Sequence, residues 1–469
     1  MYAGWLPGNQ LPICLLKELS QQLFAMTQHR FNSGYIIAIS FISALGGYLF
    51  GFDFAVISGA LPFLKKTFDL AEPWKEGLLT GSLAVGCMVG CVIAGALADR
   101  YGRRPGLMTA AIIFALSSVG MAMSGSLNIF IGMRLAAGIG VGMASMLSPM
   151  YIAEISPAAV RGRNVAINQL TIVIGILITN LVNYFLADTG AKAWRWMFGL
   201  GAVPSLLFLL GVIWLPESPR WLMKANQQER ARRILGRIGN PDYAEHTVTD
   251  IKKSLQGPQT VSGAGLWSPS VRRFVIAGIT LAVFQQFCGI NVVFNYTSTI
   301  FESVGANLNQ QLFETVSIGA VNLLFTILAM WQVDKLGRKP LMLAGAAGLS
   351  VIYVVLALLL QNQAAAGMVS VFVLLGIALY ATSLAPVTWV LIAEIFPNHL
   401  RARATTVAVL ALWAAYFLLV FTYPILAKKL GAYVPFYIYA GICVLGFLFV
   451  RTRITETKGK TLEEISGYH

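Results

Sequence analysis

Apolar runs of about 20 residues recur along the chain, and short polar segments separate them. A run of that length is what an α-helix needs to cross the hydrocarbon core of a bilayer. Backbone groups in lipid must be hydrogen-bonded within their own segment, so the runs are predicted to be helices. The pattern predicts an all-α membrane protein with twelve spans, at approximately 36–61, 78–98, 107–124, 128–150, 165–187, 196–215, 274–300, 314–333, 341–360, 367–394, 404–427 and 433–450.

Charged residues are scarce and unevenly placed. Of the 469 residues, 57% are hydrophobic and 12% are charged, whereas charged residues make up about 25% of soluble proteins. The net charge of +14 comes from Lys and Arg in alternate loops, and the loops near 125, 190 and 364 are nearly free of them. This asymmetry predicts that both termini are cytoplasmic and that the partner of the chain is the lipid bilayer rather than nucleic acid. Five lysines depart from it: Lys65, Lys66, Lys75, Lys428 and Lys429.

A repeated set of loop motifs divides the chain into two halves. The motif pairs are 99–104 with 334–339, 152–157 with 392–397 and, more weakly, 217–220 with 456–459. Their starting residues are 235, 240 and 239 positions apart. A near-constant offset of half the chain indicates an internal duplication, which predicts two pseudo-symmetric six-helix halves in parallel orientation.

The repeat and the polar segments together predict five regions. No signal-peptide pattern precedes the first span. The regions are an N-terminal cytoplasmic extension (1–35), a first six-helix half (36–215), a cytoplasmic linker with short amphipathic helices (216–273), a second six-helix half (274–450) and a cytoplasmic tail (451–469).

The seventh predicted span contains an unusual concentration of carboxamides. Gln285, Gln286, Asn291 and Asn295 lie within a few residues of one another, with Gly289 between the two pairs. A buried carboxamide needs hydrogen-bond partners, and Gly289 allows the helix to bend. One interpretation is that the amides link helix to helix, as polar residues in membrane bundles do. Four in so short a stretch favour a binding site for a neutral, polyhydroxylated solute.

Other spans contribute single candidates for the same site. Gln169 and Asn322 are amides at depth, and the Trp389 ring can cover the apolar face of a sugar or simply pack. Pro386 is expected to interrupt the helix before Trp389.

Two ionisable residues lie inside predicted spans. Asp53 is near the middle of the first span, where an Asp costs about 2.5–3.5 kcal/mol, and Arg134 in the fourth span is its expected partner. A lone acid with a lone base suggests a proton relay. The alternative is a fixed pair that only holds two helices together.

The loop motifs also place acids and bases at the cytoplasmic helix ends. These are predicted to pair when the two halves meet on that side and to separate when they part. The alternative, that basic loops only set orientation, explains the arginines and not the acids. The predicted gate charges are Asp99, Arg100, Arg103, Arg104, Glu154, Arg161, Glu217, Arg220, Asp334, Arg338, Glu394, Arg401 and Glu456.

Taken together, these residues resemble the sugar porter family of the major facilitator superfamily. The matches cover essentially everything after Asn32, and the motifs of the proton-coupled monosaccharide symporters fit best. The stretches that carry the resemblance are Gly51–Gly59, the loops at Asp99 and Asp334, Glu217-Ser-Pro-Arg220, Gln285-Gln-Phe-Cys-Gly-Ile-Asn291 and Glu456-Thr-Lys-Gly459.

The resemblance implies the major facilitator fold and monosaccharide transport by alternating access, with the protein acting as a monomer. It also implies that Asp53 and Arg134 couple proton movement to transport, as in bacterial xylose–proton and plant monosaccharide–proton symporters. The positions that match sugar-contacting or lining residues are Phe50, Gln169, Gln285, Gln286, Asn291, Asn322, Trp389 and Trp413.

Several positions depart from the family pattern. Asn295, itself a candidate site residue, stands where the family usually has Tyr or Phe, while Leu412 and Tyr416 stand where it often has Gln or Asn. Three smaller departures are Ala385, Ala402 and Thr455.

The sequence therefore predicts a proton-coupled symporter that imports a hexose or pentose across the plasma membrane. A facilitative uniporter, or a sugar sensor that moves no solute, are the alternatives. No enzymatic activity is expected, since the chain shows no nucleophile–base pair, metal cluster or phosphate loop. Accordingly, no cofactor other than the coupling proton and no metal site are predicted.

Overall fold

The computed structural model describes residues 31–256, 267–268, 271–396 and 401–456. Within these ranges, the side chains at 255, 256, 333, 334, 393, 401 and 402 are not described. The predictions for the N-terminal extension before residue 31 and for the tail after residue 456 therefore lie outside the described residues.

The described chain is helical throughout, with one short 3-10 turn after the fifth helix. The α-helices are α1 (Ser33–Thr67), α2 (Pro73–Tyr101), α3 (Arg103–Met123), α4 (Leu127–Ile155), α5 (Arg161–Leu186), α6 (Ala193–Gly199), α7 (Ala202–Trp214), α8 (Pro219–Lys224), α9 (Gln228–Ile238), α10 (Pro241–Gln256), α11 (Arg272–Phe287), α12 (Ile290–Glu302), α13 (Leu308–Leu336), α14 (Arg338–Gln361), α15 (Ala366–Thr382), α16 (Leu384–Ile395), α17 (Arg401–Leu430) and α18 (Val434–Arg453).

Twelve segments of the described chain are long and apolar enough to cross a bilayer. Spans 1 to 5 are α1 to α5, span 6 joins α6 and α7, and span 7 joins α11 and α12. Spans 8 and 9 are α13 and α14, span 10 joins α15 and α16, and spans 11 and 12 are α17 and α18. The all-helical class and the number of spans are confirmed.

Spans 7 and 10 are broken where the sequence contains special backbone positions. Span 7 breaks at Gly289, as predicted. Span 10 breaks at Ser383, three residues before Pro386. Pro386 therefore lies in the first turn of α16, where a helix does not need the missing N–H. The ring of Pro386 would clash with the carbonyl of Thr382 in a continuous helix, and Thr382 is where α15 ends, so the break is the one that this proline predicts.

The two halves repeat the same packing. In the first half, span 1 packs on span 5, span 2 on span 4, and span 3 on span 6. In the second half, span 7 packs on span 11, span 8 on span 10, and span 9 on span 12. Each contact of the first half thus has its counterpart six spans later, as a parallel duplication requires.

The halves meet through spans 1 and 7, 2 and 11, and 5 and 8. We call the membrane face that holds Ser33 and Arg453 the terminal face, and the opposite face, which holds Thr67 and Pro73, the distal face. A Cβ added at Gly77, near the distal end of span 2, would collide with the carbonyl oxygen of Phe421 on span 11. The halves are therefore in close contact near the distal face.

Three short helices between the halves lie at the terminal face. In α9, Ala231, Leu235 and Ile238 are buried, while Arg233 and Arg237 are exposed. The carbonyl oxygen of Ile238 accepts a 2.9 Å hydrogen bond from the N–H of Asn32, the residue that caps α1. The amphipathic linker helices are present, and they pack against the first half.

Candidate substrate site and ion pairs

The break in span 7 depends on Gly289. Its φ of +88° lies in the left-handed region, which only glycine adopts without strain. A Cβ at this position would also collide with the Tyr439 ring on span 12. The break ends α11 just after Gln285 and Gln286 and starts α12 just before Asn291, so the amides of both helices face one another.

The four predicted amides form a connected, buried row. Gln286 donates from Nε2 to Gln285 Oε1 at 3.2 Å, and Asn291 donates from Nδ2 to Gln286 Oε1. One turn further, Asn295 donates from Nδ2 to the carbonyl oxygen of Asn291 at 2.7 Å. The amides are thus oriented by one another.

Two positions that depart from the family pattern contact each other. The Tyr416 hydroxyl on span 11 donates a 3.0 Å hydrogen bond to Asn295 Oδ1, and both side chains are buried. The amide oxygen and the amide nitrogen of Asn295 are therefore both bonded within the protein in this conformation. Sequence reasoning identified each departure but not the pair, because the register between spans 7 and 11 is a tertiary property.

Aromatic rings line the same region between the halves. Phe50 lies 5.7 Å from Trp413 and 6.0 Å from Phe54, measured between ring centroids. Phe54 in turn lies 5.7 Å from Phe294 and 5.8 Å from Tyr416. Phe50 and Trp413 were predicted to lie together. Sequence reasoning did not identify Phe54 or Phe294 as lining residues. Phe54 could have been found, because it lies four residues after Phe50 and therefore on the same helix face.

In the part of the chain that the structure describes, no hydrogen bond joins the remaining predicted site residues to this row. Asn322 is buried on span 8, and Gln169 is half-buried on span 5. Trp389, on α16, is 42% exposed. Among the described residues, no hydrogen bond or ring contact joins Trp389 to the amide row, so its role at the site stays a prediction.

Asp53 and Arg134 form an ion pair inside the first half. Arg134 Nη1 lies 3.3 Å from Asp53 Oδ2, and both side chains are 0% exposed. Arg134 Nη2 donates to the Thr80 carbonyl oxygen at 3.5 Å, and the guanidinium lies 5.9 Å from the centre of the Phe198 ring. The pair therefore links spans 1, 2 and 4, and its role in proton coupling stays a prediction.

The contacts of this pair are long for charged groups. Both carboxylate oxygens of Asp53 face Nη1 of Arg134, at 3.3 and 3.5 Å, whereas strong bidentate pairs use two nitrogens at about 2.7–2.9 Å. In sequence, Asp53 lies between Phe52 and Phe54, and Phe54 is one of the aromatic rings that line the region between the halves. A buried and loosely held carboxylate next to the site can change its partner when its charge changes.

At the terminal face, the first half holds a compact charge cluster. Arg103 makes a bidentate contact with Glu154, from Nε at 2.8 Å and from Nη2 at 2.7 Å. Glu217 accepts from the backbone N–H of Arg103 at 2.9 Å. Burial raises the pKa of the Glu217 carboxyl, and hydrogen bonds from backbone N–H groups act against that increase.

The second half repeats this cluster. Arg338 Nη2 lies 3.5 Å from Glu394 Oε1. Glu456 accepts from the backbone N–H groups of Arg338 and Lys339, at 3.1 and 3.0 Å. The duplication seen in the loop motifs is thus also a duplication of side-chain geometry.

The sequence predicted that these acids and bases pair when the two halves meet on this side. In this conformation Arg103–Glu154 and Arg338–Glu394 each lie within one half, and pairing between the halves stays a prediction. The pairs form within one half because the loop before span 3 folds over the end of span 4. In the second half, the loop before span 9 folds over the end of span 10 in the same way. Asp99 pairs with Lys224 of α8 at 3.1 Å.

The other predicted gate charges are placed as follows. Arg100 lies over the Tyr101 ring, with 5.1 Å from its guanidinium carbon to the ring centre, and Arg104 Nε donates to the Val212 carbonyl oxygen at 3.2 Å. Arg161 and Arg220 are exposed. The side chains of Asp334 and Arg401 lie outside the described part.

Near the distal face, polar contacts do cross between the halves. Lys65 on span 1 donates to Thr299 Oγ1 at 3.0 Å and lies 3.4 Å from Glu302 Oε2, both on span 7. Asn180 on span 5 donates to the Thr315 carbonyl oxygen on span 8 at 2.7 Å. Sequence reasoning noted Lys65 only as an exception to the charge bias, because its partners lie more than 200 positions away.

Comparison with known proteins agrees with this fold. The family model described as sugar (and other) transporter matches residues 39–468. The chain is 40% identical to the arabinose-proton symporter of Bacillus subtilis, over 92% of this chain and 95% of that protein. It is 39% identical to the D-xylose-proton symporter of Escherichia coli, over 93% of this chain and 96% of that protein.

The structure is also similar to a solved transporter. The xylose transporter of Escherichia coli in a partially occluded inward-open conformation superposes with a TM-score of 0.83 and 38% identity, over 91% of this chain and all of that one. The chain belongs to the sugar transporter family, and its fold is that of the major facilitator superfamily.

Proposed function

We propose that this protein is a proton-coupled symporter that imports a hexose or pentose across the plasma membrane by alternating access. The observation that carries the proposal is the fully buried Asp53–Arg134 pair beside a site of uncharged amides and aromatic rings. Relatives named as arabinose-proton and xylose-proton symporters support it.

The site suits a neutral sugar for two reasons. The amide row of Gln285, Gln286 and Asn291 offers donors and acceptors in the same place, and sugar hydroxyls need both. The rings of Phe50 and Trp413 offer apolar faces for the C–H side of a pyranose. Among the residues that form this row there is no charge, so an ionic substrate would gain no counter-ion there.

The Asp53–Arg134 pair supplies a way to couple a proton. With Asp53 ionised, Arg134 is held by the carboxylate. Once Asp53 binds a proton, its attraction for the guanidinium is lost, and Arg134 remains held by the Thr80 carbonyl oxygen and the face of Phe198. The freed contact allows span 1 to move relative to spans 2 and 4, with bound sugar and proton released together on the inner side.

The orientation follows from the charges. The terminal face carries the Arg-rich loops and is proposed to be cytoplasmic, so that the distal face is extracellular. Contacts that cross between the halves near the distal face then describe a form closed to the outside. The inward-open conformation of the similar xylose transporter supports this interpretation. The working unit is proposed to be the monomer, since each half supplies part of one site.

A facilitative uniporter is the second candidate. The observation that favours it is the contact of Arg134 with the Thr80 carbonyl oxygen, because an arginine that ties three spans together also serves a purely structural purpose.

Uptake into proteoliposomes distinguishes the two. Labelled D-xylose, L-arabinose, D-glucose and D-galactose are offered with and without an inward proton gradient. A symporter accumulates its sugar above equilibrium only with the gradient. Equilibration that ignores the gradient would overturn proton coupling and favour the uniporter, and no uptake of any of the four sugars would contradict the proposed substrate class.

A further inference from the structure

A second polar cavity lies between the halves, at the distal face. Its volume is about 410 Å³. Lys65 and Glu76 line it from spans 1 and 2, while Thr299, Ser303 and Tyr423 line it from spans 7 and 11. None of the residues assigned above to sugar binding or to the Asp53–Arg134 pair lines it, so it is distinct from the site already described.

Two carboxylates share the Lys65 ammonium. The Lys65 ammonium lies 3.4 Å from Glu76 Oε1 and 3.4 Å from Glu302 Oε2. One cation is therefore shared by two carboxylates. Glu302 is largely exposed to solvent, whereas Glu76 is only 7% exposed. Glu76 is thus the acid of the pair that water compensates least.

The other groups that face Glu76 add no second cation. The Tyr423 ring lies 4.8 Å from the Tyr296 ring, and the buried Tyr423 hydroxyl makes no hydrogen bond to the described part of the chain. Lys428 lines the cavity but donates to the Ala71 carbonyl oxygen. Among the described residues, Lys65 is the one cation within ion-pair distance of Glu76.

We propose that Glu76 is a second proton-binding site, which takes up a proton from the extracellular side as the two halves close over the distal cavity. The inference rests on the alternating-access function proposed above. The proton comes from water and binds a carboxylate oxygen, and no other bond is made or broken.

The direction of the coupling follows from the geometry. When the halves part at the distal face, Glu76 meets water and its ionised form is stabilised. When they close, the carboxylate loses that water and keeps half of one ammonium, so the closed form favours the neutral acid. When Glu76 is neutral, it no longer competes for the Lys65 ammonium, and Lys65 can pair with Glu302 on the other half. By linkage, the proton favours closing to the same extent as closing favours the proton.

The position of Glu76 connects it to the inner pair. Thr80 lies one turn further along the same helix, donates from Oγ1 to the Glu76 carbonyl oxygen at 3.0 Å, and accepts from Arg134 through its own carbonyl. Glu76 is therefore joined to the Asp53–Arg134 pair through one turn of span 2.

Thiol labelling from outside reads the opening of this cavity without requiring uptake. Ala427→Cys places a reporter in the half-buried part of the lining, and the described native cysteines, Cys87, Cys91, Cys288 and Cys443, are buried. The labelling rate with a membrane-impermeant maleimide is measured in proteoliposomes at external pH from about 5 to about 8. Glu76→Gln is compared in this background with Glu72→Gln. Glu72 is exposed and lies four residues before Glu76, so this control removes the same charge at a nearby position.

In every variant the labelling rate rises with pH because the thiolate is the reactive form. In the Glu72→Gln protein the rate should rise more steeply than this intrinsic increase, because the cavity also opens. Glu76→Gln should show the intrinsic increase alone, so that at the higher pH it labels about two- to five-fold more slowly than Glu72→Gln; the effect is modest because the Lys65–Glu302 contact is partly exposed. Glu302→Gln should change the rate in the opposite direction, because it frees Lys65 from the second half.

Two results would overturn the proposal. One is a pH profile of Glu76→Gln that matches that of Glu72→Gln. The other is a profile that Asp53→Asn abolishes while Glu76→Gln leaves it intact, which would assign the proton to Asp53 alone. If Glu76→Gln does not reach the membrane, the opposite sign expected for Glu302→Gln still tests the shared ammonium. Loss of accumulation with an intact labelling profile would contradict the proposed function and not this inference.

Discussion

Spans 1 and 7 occupy equivalent places in the two halves, yet they are built for different tasks. Span 1 is one continuous helix with a buried carboxylate, Asp53, near its middle. Span 7 is broken at Gly289 and carries amides on both sides of the break. The difference suggests a division of the duplicated scaffold: the proposed proton-binding group lies in the first half and the row of amides proposed to bind sugar lies in the second.

Each arrangement suits its chemistry. A buried charge needs a fixed partner, and a continuous helix packed on span 5 keeps Asp53 in reach of Arg134. Neutral amides need several lone pairs and N–H groups turned toward one ligand, and a helix break turns the side chains of two helix ends toward each other. The following predictions test this division from the largest expected effect to the smallest.

Removing the base of span 4 should have the largest effect. Arg134→Met leaves the Asp53 carboxylate buried without a partner, which costs about 3–5 kcal/mol. The thermal unfolding midpoint in detergent should fall sharply and transport should be lost. Adding Asp53→Asn to this variant should restore most of the stability and none of the proton coupling. If Arg134→Met alone were as stable as the parent, Asp53 and Arg134 would not be held as an ion pair.

Straightening span 7 should have the next largest effect. Gly289→Ala forces a left-handed residue with a side chain against the Tyr439 ring, and backbone strain alone costs about 1–3 kcal/mol. The matched control is Gly305→Ala, since Gly305 also has positive φ (+79°) but no atom within 4 Å of an added Cβ. Sugar binding measured by tryptophan fluorescence should be lost in the first variant and kept in the second. Equal binding in both would argue against the break as the basis of the site.

The pair of Asn295 and Tyr416 should have a smaller effect on stability and a larger one on sugar preference. Tyr416→Phe leaves the buried Asn295 Oδ1 without a partner, at about 1–3 kcal/mol. Asn295→Ala combined with Tyr416→Phe should cost less than the sum of the single changes. The measurements are a double-mutant cycle on the unfolding midpoint and the ratio of xylose to glucose uptake. Additive changes would show that the two side chains act independently.

The smallest effect should distinguish the two terminal-face clusters. Glu154→Gln loses a short bidentate contact with Arg103 that is largely buried, and should cost about 1–2 kcal/mol. Glu394→Gln weakens a longer contact with Arg338, at 3.5 Å. The Glu394 side chain is also more exposed than that of Glu154 (25% against 12%), so this change should cost less than about 1 kcal/mol. Unfolding midpoints of both variants check the order. The reverse order would indicate that the second-half cluster contributes more to the stability of the protein.

Much of the fold could be predicted because it depends on local pattern. Apolar runs of membrane length indicated twelve spans, and the repeated loops around Asp99 and Asp334 indicated the two halves. The Gly289 break was predictable because a glycine between polar pairs has few other uses in a buried helix. Asp53 and Arg134 were paired correctly because ionisable residues are so rare inside spans that few partners exist.

The rest depends on register between distant helices, which no local pattern encodes. Asn295 and Tyr416 are 121 positions apart, and Lys65 and Glu302 are 237 apart. The acids of the terminal face had several arginines within reach by sequence, and the choice of a partner in the same half became visible only with the loops in place.

The central claim is that Asp53 carries the transported proton. Sugar-dependent proton uptake tests it most directly: the sugar that the parent accumulates is added to de-energised proteoliposomes, and the pH of the external medium is recorded. The account predicts that the parent makes the medium more alkaline, and that Asp53→Asn abolishes this signal while sugar exchange across the membrane continues. Proton uptake that persists with sugar in Asp53→Asn would contradict it.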